Sequence, residues 1–248
     1  MRVAGIAMVM VLAGAACAEA PDQSLRPVAR ADVPVQPEAE QPAQGLRGLF
    51  RSLRPQARSA GVEGRAQQSR AQARRGAVCG DLALQGEVVG RVPGAINGCG
   101  IEQAVRLKSV SGVRLSTPAK VDCGTAKALK TWVERGMRPA VGNRGGGVDS
   151  IQVMASYTCR TRNNQKGTRI SEHGKGRAVD IGGFTLRDGA QISVLRDWGK
   201  GREGRILREM HSTACGPFGT VLGPEANRFH RDHFHFDTAR YRSGRYCR

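Results

Sequence analysis

Two stretches, Ser171-Glu172-His173-Gly174-Lys175-Gly176-Arg177-Ala178-Val179-Asp180 and His230-Arg231-Asp232-His233-Phe234-His235-Phe236-Asp237, hold four of the chain's five histidines. The period of two of a strand puts His233, His235 and Asp237 on one face of the second stretch, with Phe234 and Phe236 on the other. Such a strand turns an aromatic back to a core and an imidazole front to a site. In the first stretch, His173 and Asp180 lie too far apart for one helical turn, and Gly174 and Gly176 disfavour a helix. A loop that leaves His173 and returns into a strand at 178–181 would bring both side chains to one point. By the same strand parity, Glu172 is predicted to face away from His173, which argues against it as a base. One carboxylate and two imidazoles with an open fourth position suit a catalytic zinc, which keeps a water there.

Ser-x-His-x-x-Gly-x-Ala-x-Asp followed by His-x-His resembles the zinc peptidases related to D-Ala-D-Ala carboxypeptidases and the Hedgehog signalling domain. The spacing His230-x-x-His233-x-His235 is similar to the penicillin-insensitive murein endopeptidase branch. More closely, residues from about Val78 onward resemble the bacterial extensin-like C-terminal domain. That match rests on the His173 stretch, on Tyr157-Thr158-Cys159-Arg160-Thr161-Arg162-Asn163-Asn164, and on Cys215-Gly216-Pro217-Phe218-Gly219-Thr220-Val221-Leu222-Gly223. The resemblance implies His173, Asp180 and His235 as zinc ligands. It places His233 beside the metal as base or transition-state stabiliser, with His230 and Asp232 orienting it. It also implies that Arg160 or Arg162 binds a substrate carboxylate, for which a planar guanidinium fork is suited. The plainer alternative for both arginines is a surface position in a basic protein. The implied activity is zinc-dependent cleavage of an amide in peptidoglycan stem peptides or crosslinks. A module that binds cell wall without cleaving it, its zinc structural or vestigial, is the competing expectation.

The net charge of +18 calls for a polyanionic neighbour. Nucleic acid fits poorly, because no recognition motif is present and only 4% of residues are aromatic, too few to interleave and stack bases. Peptidoglycan or another anionic wall polymer fits the dispersed charge better. Residues 1–20 read as a secretory leader: Arg2, an apolar run over 3–16, then small residues. Ala16-Cys17-Ala18 and Ala18-Glu19-Ala20 both fit a cleavage site. Lipoprotein processing at Cys17 is the rival, and only that would tie the protein to a membrane. Export to the periplasm or envelope, as a monomer, is the expectation.

Residues 21–75 are rich in Pro, Gln, Ala and Arg and poor in aliphatic side chains. They cannot bury enough apolar surface to offset their ordering entropy, which predicts a flexible tether. Within it, 45–53 reads at most as a transient amphipathic turn. Seven cysteines include Cys17 in the leader. The remaining six, Cys79, Cys99, Cys123, Cys159, Cys215 and Cys247, form an even set without C-x-x-C spacing, which predicts three disulfides. The pairing is open. A short loop closed by Cys79 and Cys99, and a C-terminal tail tied down by Cys247, are the simplest guesses.

Over 76–248 the pattern predicts one α+β domain, a mainly antiparallel sheet with helices on one face, and the resemblance specifies a Hedgehog/DD-peptidase-like version of it. A hairpin turns at Ser111-Gly112. A helix over 122–135 buries Ala126, Leu129, Trp132 and Val133, with Gly136 as its cap. A strand over 150–159 delivers Arg160 and Arg162. Gly182-Gly183 ends the strand through Asp180, a strand returns over 191–195, a helix spans 203–213, and 218–222 forms another strand. His211 lies outside both motifs and is given no role.

Overall fold

The computed structural model describes residues 60–248. The predicted leader with Cys17, the turn at 45–53 and the tether up to residue 59 lie outside the described residues. The end of the predicted tether is instead a helix, α1 (Ala60–Gly76). Ala, Arg and Gln are strong helix formers, and the segment has no apolar stripe that would reveal a buried face. Most of its side chains are exposed. The Gln85 side-chain amide donates to the Ala73 carbonyl at 3.1 Å and ties the helix end to the sheet.

Strands β1 (Ala77–Val78), β2 (Asp81–Pro93), β3 (Gly100–Val110) and β4 (Val113–Asp122) form an antiparallel meander, with β3 and β4 turning at Ser111-Gly112 as predicted. Strand β2 was not predicted. Register shifts between Gln85 and Gly86, Val88 and Gly90, and Gly90 and Val92 break the alternation by which a strand is recognised.

Asp122 then caps α2 (Cys123–Trp132), its Oδ1 accepting from the Thr125 amide at 2.7 Å. The helix does not end at Gly136. It widens into a π turn over Val133–Met137 and continues as α3 (Arg138–Val141). Gly136 serves close packing instead, since a Cβ there would lie 2.4 Å from the Thr213 hydroxyl.

Strand β5 (Val148–Ala155) runs parallel to β4 and antiparallel to β6 (Ala178–Leu186). Eight of the nine residues of β6 are buried, which fits its place between two strands. Gly182 and Gly183 lie inside β6 rather than after it. A Cβ on Gly183 would sit 2.6 Å from the Ile192 carbonyl oxygen, so glycine is what lets β7 (Gln191–Ser193) approach. The predicted strand over 191–195 stops at Ser193, whose hydroxyl accepts from the Arg196 amide and starts α4 (Val194–Asp197). Helix α5 (Gly201–Ala214) buries Ile206, Leu207 and Met210.

Strand β8 (Thr220–Leu222), β9 (Phe234–Asp237) and β10 (Tyr246–Cys247) complete the sheet, with β9 antiparallel to both β6 and β8 and β10 parallel to β8. The fold is therefore mixed α/β, with one large, mostly antiparallel ten-stranded sheet and a few helices. Trp132, fully buried, packs edge-on against Phe236, and its indole donates to the Met210 carbonyl at 2.8 Å. That contact joins α2, α5 and the back of β9 into one core.

All six described cysteines are paired, as Cys79–Cys123, Cys99–Cys159 and Cys215–Cys247. The last ties down the C-terminal tail. The guessed Cys79–Cys99 pair does not form. The two residues flank opposite ends of β2, and thirteen extended residues span roughly 40 Å. Cys99 instead fastens the β2–β3 turn to the loop that leads into the histidine site.

Candidate metal centre

Three neighbouring strands build the site. Ala155, the last residue of β5, faces Asp180 of β6, and Asp180 faces His235 of β9. His173 comes from a 3-10 turn, Glu172–Lys175, capped by Ser171 and closed by Gly176 in the left-handed region at φ 68°. A Cβ on Gly176 would lie 2.2 Å from Ile101 Cδ1, so glycine is needed for both the turn and the contact. The loop leaving β5 returns to this turn through a bridge between Thr161 and Ile170 and the Cys99–Cys159 bond.

His173, Asp180 and His235 meet in a buried group, each offering one ligand atom to a common point. His173 Nε2 lies 3.2 Å from Asp180 Oδ2 and 3.1 Å from His235 Nδ1, while His235 Nδ1 lies 2.9 Å from Asp180 Oδ1. The outer nitrogens fix the tautomers. His173 Nδ1–H donates to the Ser156 carbonyl at 2.7 Å, and His235 Nε2–H donates to Asp237 Oδ2 at 3.1 Å. Both inner nitrogens then present lone pairs to each other, an arrangement that needs a positive species between them. Ligand atoms about 2.0–2.1 Å from a tetrahedral zinc stand about 3.3 Å apart. The donor set and its spacing fit such an ion, and the backing carbonyl and carboxylate are the partners that metal-binding imidazoles use.

Without a metal, the positive species is a proton. Burial alone would depress the His235 imidazolium, but hydrogen bonds to Asp180 and Asp237 outweigh it and push its pKa up to about 9. Burial would likewise raise the Asp180 carboxyl, yet its contacts with the His235 and His173 imidazoles hold it well below the usual carboxylate range.

The group lies in a cavity of about 760 Å³. The remaining predicted residues, His233, His230, Arg160 and Arg162, line the same cavity. His233 immediately precedes β9 rather than lying within it. Its Nδ1–H donates to Asp232 Oδ1 at 2.8 Å, leaving Nε2 as an acceptor 3.8 Å from Asp180 Oδ2. His230 turns to Asn227 instead, donating from Nδ1 to Oδ1 at 2.8 Å. Burial, then the imidazoles of His235 and His233, push its pKa down to about 4, so it is neutral near pH 7. Of the two expected partners of His233, Asp232 hydrogen-bonds it, and the ring of His230 lies beside it at 5.2 Å between centroids. Arg162 Nη2 donates to the Tyr241 hydroxyl at 3.0 Å. Among the described residues neither Arg160 nor Arg162 pairs with a carboxylate.

Glu172 corrects the parity argument. It belongs to a 3-10 turn, not a strand, and it lines the cavity beside His173. Its Oε1 pairs with Lys175 Nζ at 2.7 Å, while its buried Oε2 has no partner among the described residues. Thr220 and Tyr241 also line the cavity. The sequence predicts a site role for neither, although Thr220 lies in the 215–223 stretch that carries the resemblance; both arrive through the pairing of β8 and the folding back of the tail. His211 lies away from the cavity, its ring against Trp198 and Phe234.

Fold and site together define a disulfide-bonded mixed α/β domain with a buried His/Asp group able to bind a metal. Residues 82–248 match the family described as "Extensin-like protein C-terminus", and the chain belongs to that family. No curated protein and no solved structure matches it.

Proposed function

We propose that the domain is a zinc-dependent hydrolase that cleaves amide bonds in peptidoglycan stem peptides or their crosslinks, after export to the periplasm or envelope. The observation that carries this reading is the pair of imidazole lone pairs, fixed by Ser156 and Asp237, that converge with the Asp180 carboxylate at the cavity floor. Bound there, zinc would polarise a carbonyl and lower the pKa of a water. The sequence resemblance to the D-Ala-D-Ala peptidase and Hedgehog group favours zinc over other cations and an amide over other bonds.

The chain's own residues have distinct tasks. His233, oriented by Asp232, accepts at Nε2 the proton that the attacking water loses and gives it to the leaving amine. His230, neutral at pH 7, accepts a hydrogen bond rather than adding charge to the cavity. Arg160 and Arg162, without carboxylate partners, bind a substrate carboxylate bidentately. A cavity of about 760 Å³ admits a short peptide.

Incubation of the full chain with purified muropeptides, with and without a chelator, tests this. Zinc-dependent release of a new amine is expected. A chain that binds murein and holds zinc yet turns over no muropeptide would overturn the hydrolase and favour the wall-binding module.

A further inference from the structure

A second cavity, of about 780 Å³, lies where the strands of the metal site end. It is bounded by Arg177, which precedes β6, by Arg240 and Arg245, which follow β9, and by Asp122. Tyr241 lines both cavities, and Arg162 holds its hydroxyl. The floor is rigid. Gly219 donates to the Asp237 carbonyl, Thr238 donates to the Arg177 carbonyl, and Cys215–Cys247 anchors the tail that carries Arg245. A Cβ on Gly219 would lie 1.6 Å from the Ala239 carbonyl oxygen, so the two segments are in the closest backbone contact.

The charge here is unbalanced. The one carboxylate, Asp122, caps α2 through Oδ1 and lies 3.8 Å from Arg177 Nε through Oδ2. Among the described residues Arg240 and Arg245 pair with no carboxylate. Both are exposed and border a concave surface, which a planar oxyanion can enter to meet two guanidinium forks. Arg177 immediately precedes β6, three residues before Asp180, so about 10 Å of extended chain separates the two.

We infer that the two cavities form one groove, and that Arg177, Arg240 and Arg245 bind an oxyanion on the same polymer chain whose amide lies at the metal cavity, about 10 Å further along. The inference rests on the reading of the metal cavity as a site for an envelope polymer, and adds to it the anionic group that sets which stretch of polymer is presented. The group is a carboxylate of the polymer; a phosphate on an attached polymer shares the same chemistry.

Sedimentation of the full chain with purified murein sacculi tests the groove. Arg240→Gln/Arg245→Gln should weaken binding roughly tenfold or more. Arg205→Gln/Arg208→Gln removes the same charge from the exposed surface of α5 and should change binding less than about twofold, because distant exposed charges are screened. Sacculi with amidated carboxyls should lose the Arg240/Arg245-dependent part if the oxyanion is a carboxylate. Sacculi stripped of phosphate-linked polymers should keep it; loss there instead would overturn the carboxylate and assign the oxyanion to a phosphate. Equal weakening by the two double variants overturns it, since binding would then follow net charge alone. Zinc content of the same samples separates the readings. Full zinc with no Arg240/Arg245 dependence removes only the groove, while an empty metal site with that dependence intact removes only the hydrolase.

Discussion

The two faces of β9 are made of alternating neighbours and obey different rules. Behind, Phe234 and Phe236 are fully buried, and Phe236 packs on Trp132 and Phe218. In front, His235 and Asp237 are held by directional bonds to Asp180 and to each other. The back face is stabilised by area and volume, and tolerates changes that conserve both. The front face gathers a carboxylate and several imidazoles out of water, which is favourable only with every lone pair answered. A four-residue strand thus carries both the core's stability and the site's geometry, and substitutions on its two faces should separate the two.

The largest effect is expected on the front face. His235→Ala leaves only His173 and Asp180 as ligands, so zinc, measured per chain by elemental analysis, should fall from one to near zero. The disulfides and the back-face core should keep the chain folded, as read by its near-ultraviolet circular dichroism. Full zinc occupancy in this variant would show that the ion is held elsewhere. The back face should answer in the opposite way. Phe236→Ala should cost about 3–5 kcal/mol in denaturant unfolding, the scale for deleting a buried aromatic ring. Below its unfolding transition it should still bind one zinc. Loss of the metal under folded conditions would mean that the two faces of β9 cannot be separated.

A smaller effect is expected from His233, which lies at the end of the same face but outside the converging group. His233→Ala should leave zinc content nearly unchanged and slow turnover of muropeptides by roughly 100-fold, as for loss of one proton-transfer group. A parallel fall in zinc affinity would make His233 a ligand and displace the assignment of Asp180, His173 and His235 as the complete set.

The front face was more legible in the sequence than the scaffold around it. Five histidines in 248 residues, four of them in two short motifs, have few structural reasons to cluster. The alternation through His235 and Phe236 survives intact because β9 pairs on both edges without a bulge. β2 was missed for the opposite reason, since its three register shifts destroy the period of two. α1 was missed because a helix without a buried stripe leaves no periodic signal. The cysteine pairing depends on where thirteen residues of β2 carry the chain, and spacing in sequence is blind to that. Glu172 shows the same limit at the site. A one-residue parity argument holds in a strand, and it fails at a 3-10 turn that only the capping Ser171 and the glycine at 176 hint at.

A further effect, about tenfold at each pH unit, concerns the proton that stands in for the metal. In the metal-free chain His235 is protonated at both nitrogens below pH 9, because Asp180 and Asp237 push its pKa up to about 9. Zinc needs the Nδ1 lone pair, so binding must expel that proton. Asp180, held well below the usual carboxylate range, is already ionised and contributes no proton near neutrality. Apparent zinc affinity should therefore rise about tenfold per pH unit between roughly pH 7 and 9, then level off as His235 becomes neutral by itself. Lowering the pH has the opposite sign, with zinc leaving as the proton returns. Calorimetric titration of zinc into the metal-free chain, in two buffers of different ionisation enthalpy, counts the protons released. At least one proton per zinc at pH 7.5 is expected, from His235 and in part from a zinc-bound water, and Asp237→Asn, which removes one of the two carboxylates holding the imidazolium, should lower that number. Zero protons in the unaltered chain would mean that His235 already offers its lone pair, and that the convergence of the two imidazoles is relieved in some other way.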